Sequence, residues 1–277
     1  MSFICLGDFG TGEIGQYCVS KLMQNIIKNN NSKFILGLGD NFYPDGIKRI
    51  NDKKFRYNFE LPYSNLPKNI KFYNCLGNHD YRGIVEHQIN YSNKNPQWVL
   101  KDNYYKFSNT INNVKVDFFA IDTNFYLLEG FEIDGIEQEE WIIKEIKKSN
   151  AQWIILFGHH PFKSSGFHGN ATDKLKQFYD NIVSLNKVDL ILSGHDHDIQ
   201  HINNKNYPHC FVSGTGGKTR YMPGVIRKYL LNNELQYYSE KLGCLNIEVY
   251  KTHLNVNIYT TDYNLEHNLD YMFKVIK

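Results

Sequence analysis

Five short apolar runs in this chain each end in a glycine followed at once by a side chain carrying an oxygen or nitrogen lone pair: Gly7-Asp8, Gly39-Asp40, Gly77-Asn78, Gly158-His159 and Gly194-His195. The runs Ser2–Leu6, 34–38, 71–76, Trp153–Phe157 and 188–193 have the length and β-branched or aromatic content of buried strands. Between them lie stretches with apolar residues at helical spacing. These are 14–28 (Ile14, Tyr17, Cys18, Leu22 and Ile26 inward), 84–91, 136–148 (Trp141, Ile142 and Ile146 inward) and 173–185. A hairpin is expected for 104–108 and 114–121 across Asn112-Asn113. From 210–213 and 245–259 the pattern turns to strands alone. Strand–helix alternation followed by strands predicts an α/β (α+β) fold, a four-layer αββα sandwich of two mixed sheets flanked by helices. No Gly/Ser/Pro linker and no internal repeat divides the chain, so one domain over residues 1–277 is expected. The glycine in each string is expected to let the backbone turn sharply, with positive φ, so that the next side chain enters a shared crevice beyond the strand ends.

Composition narrows the partners. Hydrophobic residues make up 42% and charged residues 22%, ordinary for a globular protein, and the net charge of +2 gives no basis for nucleic acid or a membrane surface as the main partner. The longest apolar runs are strand-length. The sequence passes from Met1 straight into its first strand without a basic, long-apolar, small-residue leader pattern, and an intracellular protein is expected. Cys5, Cys18, Cys75, Cys210 and Cys244 are odd in number and scattered, which fits free thiols in a reducing compartment. A monomer is expected.

Three of the strings extend into richer motifs: Gly39-Asp40-Asn41-Phe42-Tyr43, Gly77-Asn78-His79-Asp80 and Gly194-His195-Asp196-His197. A lone Asp after a strand is usually a turn residue. Five strand ends repeating glycine-plus-donor, with a Tyr and further His close by, supply the hard oxygen and imidazole donors of a two-metal hydrolytic centre.

Together with Gly7-Asp8-Phe9-Gly10 and Gly158-His159-His160-Pro161, these motifs resemble, in order and spacing over nearly the whole chain, the metallophosphoesterase superfamily. Within it, Tyr43 singles out a resemblance to the small, tartrate-resistant type of purple acid phosphatase. The resemblance implies the four-layer fold and two metal sites. Asp8, Asp40, Tyr43 and His197 would hold Fe(III), and Asp40, Asn78, His159 and His195 would hold Fe(II), Zn(II) or Mn(II), with Asp40 shared. It implies hydrolysis of phosphate monoesters by a water activated between the metals, attacking in line with the leaving alcohol. His79, oriented by Asp80 through an imidazole–carboxylate pair, would protonate that alcohol. His168 would be a second catalytic candidate for that proton, in the substrate pocket, and Asn78, His79, His168 and Asn41 are the candidate substrate contacts.

Other residues take plainer readings. His160 is expected to line the pocket wall. His87, His201, His209, His253 and His267 are expected at the surface or in packing. Gly214-Thr215-Gly216-Gly217-Lys218 lacks the Gly-x-x-x-x-Gly-Lys-Ser/Thr order of a phosphate-cradling loop and is read as a post-strand loop at the rim. Animal members of the resembled family carry a long occluding loop after an Asp-Thr strand end. Here only 124–137 separates Ile121-Asp122-Thr123 from the next helix, and an open site is expected. Two alternatives share the strings: a phosphodiesterase or nucleotide hydrolase on the same scaffold, and a non-catalytic phosphate-binding protein.

Overall fold

The computed structural model of the chain describes residues 1–222 and 234–277. Among these, two seven-stranded sheets lie face to face. The first runs in the order β14 (Asn268–Ile276), β13 (His253–Thr261), β12 (Leu242–Val249), β1 (Ser2–Leu6), β2 (Ser32–Gly37), β3 (Lys71–Asn74), β4 (Trp98–Val99). The second runs β11 (Leu235–Ser239), β9 (Ile199–Ile202), β10 (His209–Ser213), β8 (Leu190–Ser193), β7 (Trp153–Phe157), β6 (Val114–Ala120), β5 (Tyr105–Ile111). In each sheet a parallel block is extended by antiparallel strands: β1 through β4 are parallel in the first, and β6, β7, β8 and β10 in the second. Four helices complete the layers: α1 (Ile14–Asn30), α2 (Val85–Tyr91), α3 (Glu132–Lys148) and α4 (Asp173–Val183). The expected four-layer arrangement is the one observed.

Period-two alternation explains why the sheets are sandwiched. In β6, Val116, Phe118 and Ala120 enter the core between the sheets, while Phe119 points the other way. In β7, Trp153, Ile155 and Phe157 face inward, while Ile154 and Leu156 join Ile142 and Ile146 of α3 and Leu175, Phe178 and Ile182 of α4. Contact between the sheets is aromatic: Phe3 stacks on Phe34 at 5.2 Å and meets Phe118 of the opposite sheet edge-on at 5.2 Å. Each such side chain contributes about 1.5–3 kcal/mol by leaving water. The Asn112-Asn113 hairpin forms as expected, both residues left-handed at φ 51° and 61°.

Helix α1 departs from its expected face. Cys18, Val19, Leu22, Met23, Ile26 and Ile27 are buried against β12, β13 and β2, but Ile14 and Tyr17 are 64% and 40% exposed. The first turn overhangs the sheet. Its apolar residues line a surface groove with Pro62, Tyr263 and Leu265 instead of joining the core. Among the described residues no helix is long and apolar enough to cross a membrane.

Candidate metal centre

The five glycine-plus-donor strings meet where the carboxyl ends of β1, β2, β3, β7 and β8 converge. The two sheets touch there: a Cβ on Gly7, after β1, would lie 3.0 Å from the Cα of Gly194, after β8. The expected positive φ at each glycine is found in one string only, and in three strings the donor itself adopts it. The donors themselves take the left-handed conformation, Asp8 at φ 58°, Asp40 at 51° and His195 at 70°, while Gly39 is the one glycine of the five with positive φ, at 86°. The other glycines are required by space. A Cβ on Gly77 would fall 2.2 Å from Asp40 Oδ1, and one on Gly194 would fall 2.5 Å from Asp8 Oδ2. The carboxylates lie against bare backbone.

Two backbone amides then aim the carboxylates. His195 N–H donates to Asp8 Oδ2 at 2.8 Å, and His79 N–H donates to Asp40 Oδ1 at 2.8 Å. Asp8 Oδ1 faces the Tyr43 hydroxyl at 2.9 Å and His197 Nε2 at 3.3 Å. Asp40 faces two ways. Its Oδ2 accepts from the Tyr43 hydroxyl at 2.8 Å, and its Oδ1 lies 3.4 Å from His159 Nε2. His159 Nε2 is in turn 3.1 Å from Asn78 Oδ1 and 3.2 Å from His195 Nδ1. One cluster thus contains Asp8, Tyr43 and His197, the other Asn78, His159 and His195, and Asp40 lies between. His159 Nδ1 donates to the Leu38 carbonyl at 2.9 Å, which leaves Nε2 as the lone pair turned into the crevice.

The electrostatics fit a bound cation. Asp8 and Asp40 are 0% and 2% exposed, and among the described residues neither pairs with a Lys or Arg. Burial, with Asp40 adding to it, pushes the Asp8 carboxyl up to about 8, and the Tyr43 phenol is driven well above its ordinary value by burial and then by Asp8 and Asp40. Burial holds His197 down at about 4 and His195 far below the usual imidazole range. Two buried carboxylates with no Lys or Arg at ion-pair distance among the described residues, beside neutral imidazoles, form an environment that a multivalent cation satisfies. One ligand atom from each of Asp8, Asp40 and His159 lies within 4.8 Å of the others, and the same holds for His159, His160 and His195. His160 is nevertheless held by Thr123, whose Oγ1 is 2.7 Å from its Nδ1, as a buried wall residue.

Three expected roles change. Asp80 does not pair with the His79 imidazole. It is fully buried and accepts from the backbone amides of Gly77 (2.8 Å) and Asn41 (3.1 Å) and from Gln88 Nε2 (2.9 Å), pinning the Asp40 and Asn78 strings together. The group that orients His79 is a backbone one: Nδ1 donates to the Pro44 carbonyl at 2.5 Å, and Nε2 turns toward the crevice, 3.9 Å from Asp40 Oδ2. Asn41 makes no substrate contact available, because its side chain is wholly buried and donates to the Cys75 carbonyl at 2.8 Å. His168 is exposed at the rim with its ring 4.2 Å from that of His195, but its Nε2 lies 2.9 Å from Arg220 Nη1. A guanidinium only donates, so that nitrogen is an acceptor and presents no proton.

The calcineurin-like phosphoesterase family matches residues 1–198. Purple acid phosphatase 7 of Arabidopsis thaliana is 30% identical over 96% of this chain and 84% of its own length. This chain belongs to the purple acid phosphatases, within the calcineurin-like phosphoesterases. Tartrate-resistant acid phosphatase type 5 of Sus scrofa is 30% identical over 78% of the chain and 69% of its own length. Among solved structures, GAP50, described as the anchor in the inner membrane complex of Plasmodium, superposes with a TM-score of 0.85 at 23% identity, covering 100% of this chain and 89% of that one. A dimetal phosphatase from Danio rerio gives 0.56 at 10% identity, covering 100% and 98%. These two likenesses are of fold.

The motifs assign no role to Asp196 or Arg220 of this purple acid phosphatase, while Lys218 lies in the loop expected at the rim. Asp196, between the two histidines of its string, is buried and anchors the His168 loop. It accepts from the Ser164 hydroxyl and from His168 N–H (2.8 Å), and a Cβ on Gly166 would fall 2.4 Å from its Cγ. Lys218 and Arg220 reach the crevice. Lys218 Nζ sits 3.6 Å above the Tyr43 ring, and the Arg220 guanidinium lies 4.5 Å from the Phe167 ring. The glycine-rich string before Lys218 was the available signal.

Proposed function

We propose that this chain is a dimetal acid phosphatase that hydrolyses phosphate monoesters, and that its metal ligands are Asp8, Asp40, Tyr43, Asn78, His159, His195 and His197. The observation that carries the reading is Asp40, whose two oxygens face two separate donor clusters. Asp8, Tyr43 and His197 form a hard, anionic set suited to Fe(III), and Asn78, His159 and His195 a neutral set suited to Fe(II), Zn(II) or Mn(II). A bound metal pair supplies the charge that holds a phosphate and acidifies a water. The protein's own groups do the rest. The amides of His79 and His195 fix the carboxylates so that no reorganisation is needed. The Leu38 carbonyl fixes the His159 tautomer. His79, held through Nδ1 by Pro44 with Nε2 3.9 Å from Asp40 Oδ2, is the proposed proton donor to the leaving alcohol. Hydrolysis bonds a water oxygen to phosphorus and releases the alcohol with a proton.

The test compares a phosphomonoester and a bis-ester on protein loaded with iron and zinc. Turnover on the monoester that exceeds turnover on the bis-ester and disappears on chelation is expected. Preference for the bis-ester would replace this reading with the phosphodiesterase one, and hydrolysis of neither would favour a binding protein.

A further inference from the structure

The outer face of the first sheet, turned away from the second, carries a groove beside the last turn of α1. Strand register fixes its layout. Across β12, β13 and β14 lie a row of Glu248, Asn255 and Lys274, then a row of Asn246, Asn257 and Met272, then Tyr259 beside Leu269. Alternation turns these side chains outward, because Leu254, Val256 and Ile258 of β13 and Val275 of β14 enter the core, and Tyr271 of β14 stacks on Tyr237 of the second sheet. Asn30, at the end of α1, closes one side, its Nδ2 donating to the Tyr259 hydroxyl at 3.3 Å. The groove encloses about 400 Å³, room for a small ligand. Among the described residues none that lines it hydrogen-bonds to a residue of the metal crevice.

Its floor holds polar atoms that the fold leaves unused. Asn257 lines the groove, is only 7% exposed, and among the described residues its carboxamide has no hydrogen-bond partner. Beside it, fully buried Asn246 accepts from Ser32 Oγ at 2.9 Å through Oδ1, while its Nδ2 has no partner among the described residues. Asn255 Nδ2 donates to Glu248 Oε2 at 3.0 Å, which leaves Asn255 Oδ1 and Glu248 Oε1 as acceptors. An unsatisfied buried carboxamide costs about 1–3 kcal/mol, and a leucine of similar shape at Asn257 would avoid that cost. Folding therefore does not account for Asn257, and a ligand that bonds to it does.

The chemistry of the lining selects the ligand. One carboxylate and one ammonium, Glu248 and Lys274, stand at the two ends of a row, so the groove is neutral as a whole and favours neither an anion nor a cation. A carboxamide presents a donor and an acceptor side by side, and neighbouring hydroxyls, each able to donate and accept, complement that pair. Tyr259 is half-buried and stacks on no other ring among the described residues, and with Leu269 and Met272 it gives the groove an apolar wall. A ring with hydroxyls at its edge and C–H groups on its face satisfies both surfaces at once.

We propose that this groove is a binding site for a neutral sugar, with adjacent hydroxyls of a pyranose on Asn257 and Asn255 and its C–H face on Tyr259.

The experiment records saturation-transfer NMR and titrations of the metal-loaded chain with the methyl pyranosides of glucose, galactose, mannose and N-acetylglucosamine, on wild type, Asn257→Leu and Tyr259→Leu. At least one glycoside is expected to bind the wild type. Each variant should weaken that binding at least about tenfold, the worth of one hydrogen-bonded or stacked contact. Asn257→Leu should melt no lower than wild type, and both variants should keep the wild-type turnover of p-nitrophenyl phosphate. A wild type that binds none of the four glycosides would overturn the proposal. So would an affinity unchanged in Tyr259→Leu, which decides the matter even if Asn257→Leu does not fold.

Discussion

His201 gives a stability test that leaves the metal crevice untouched. It lies in β9, its ring stacked on Phe211 at 4.2 Å and tilted against Phe273 at 4.4 Å, with Nδ1 3.0 Å from the Tyr271 hydroxyl and Nε2 3.0 Å from His209 Nδ1. Burial, and then His209, hold its imidazole down at about 3, against an ordinary 6.5. The unfolded chain takes up a proton near the ordinary value and the native protein does not, so this group's contribution is intact above that value and is lost as pH falls toward about 3. Between pH 7 and pH 5 the loss works out at about 2 kcal/mol. His201→Phe keeps the stacking and removes the titration. It forfeits two hydrogen bonds whose partners, His209 and Tyr271, are half-buried and can reach water, a cost of about 1–2 kcal/mol. The variant should therefore be the less stable protein at pH 7 and draw level near pH 5. Urea unfolding of both proteins at several pH values, equally metal-loaded, measures this, because the crevice histidines are common to both and cancel. Stability curves that stay parallel from pH 7 to pH 5 would refute the reasoning.

Two substitutions address the site itself. Gly77→Ala puts a methyl group 2.2 Å from Asp40 Oδ1 and 2.3 Å from Asp40 N, where backbone cannot yield, and is expected to destabilise by about 3 kcal/mol and to lower metal content; a stable variant with full metal content would contradict the geometry. His79→Ala should reduce turnover on an alkyl phosphate by about 10²–10⁴-fold and on p-nitrophenyl phosphate by much less, since that leaving group needs little protonation. Equal losses on the two would remove His79 from the proton-donor role.

What the sequence discloses about this fold and site has a physical boundary. The donors at strand ends were readable because each follows an apolar run that can only be a buried strand, and strand ends in such sheets open on one crevice. The partner of His79 was not readable, because the Pro44 carbonyl is a backbone group that any residue carries. Asp80 looked like that partner by adjacency, but its carboxylate is spent on amides from two strings 39 and 3 residues away. The left-handed turns were assigned to the glycines by propensity, whereas packing gives the glycines the close approach and the strain to Asp8, Asp40 and His195. Strand β9 was missed because Gln200 and His201 are polar. Inside the sheet Gln200 Nε2 donates to Asp198 Oδ1 at 2.7 Å and to Ser164 Oγ at 2.9 Å, and no local pattern announces that satisfaction.

The central claim is that Asp40 divides two metal sites, with Tyr43 on one. Metal analysis with a visible spectrum tests it directly, on iron-reconstituted wild type and on Tyr43→Phe. Two metal ions per chain and a visible tyrosinate-to-iron band in the wild type are expected, with the band absent in a folded Tyr43→Phe. Fewer than two ions per chain, or a band that persists without the Tyr43 hydroxyl, would contradict the account.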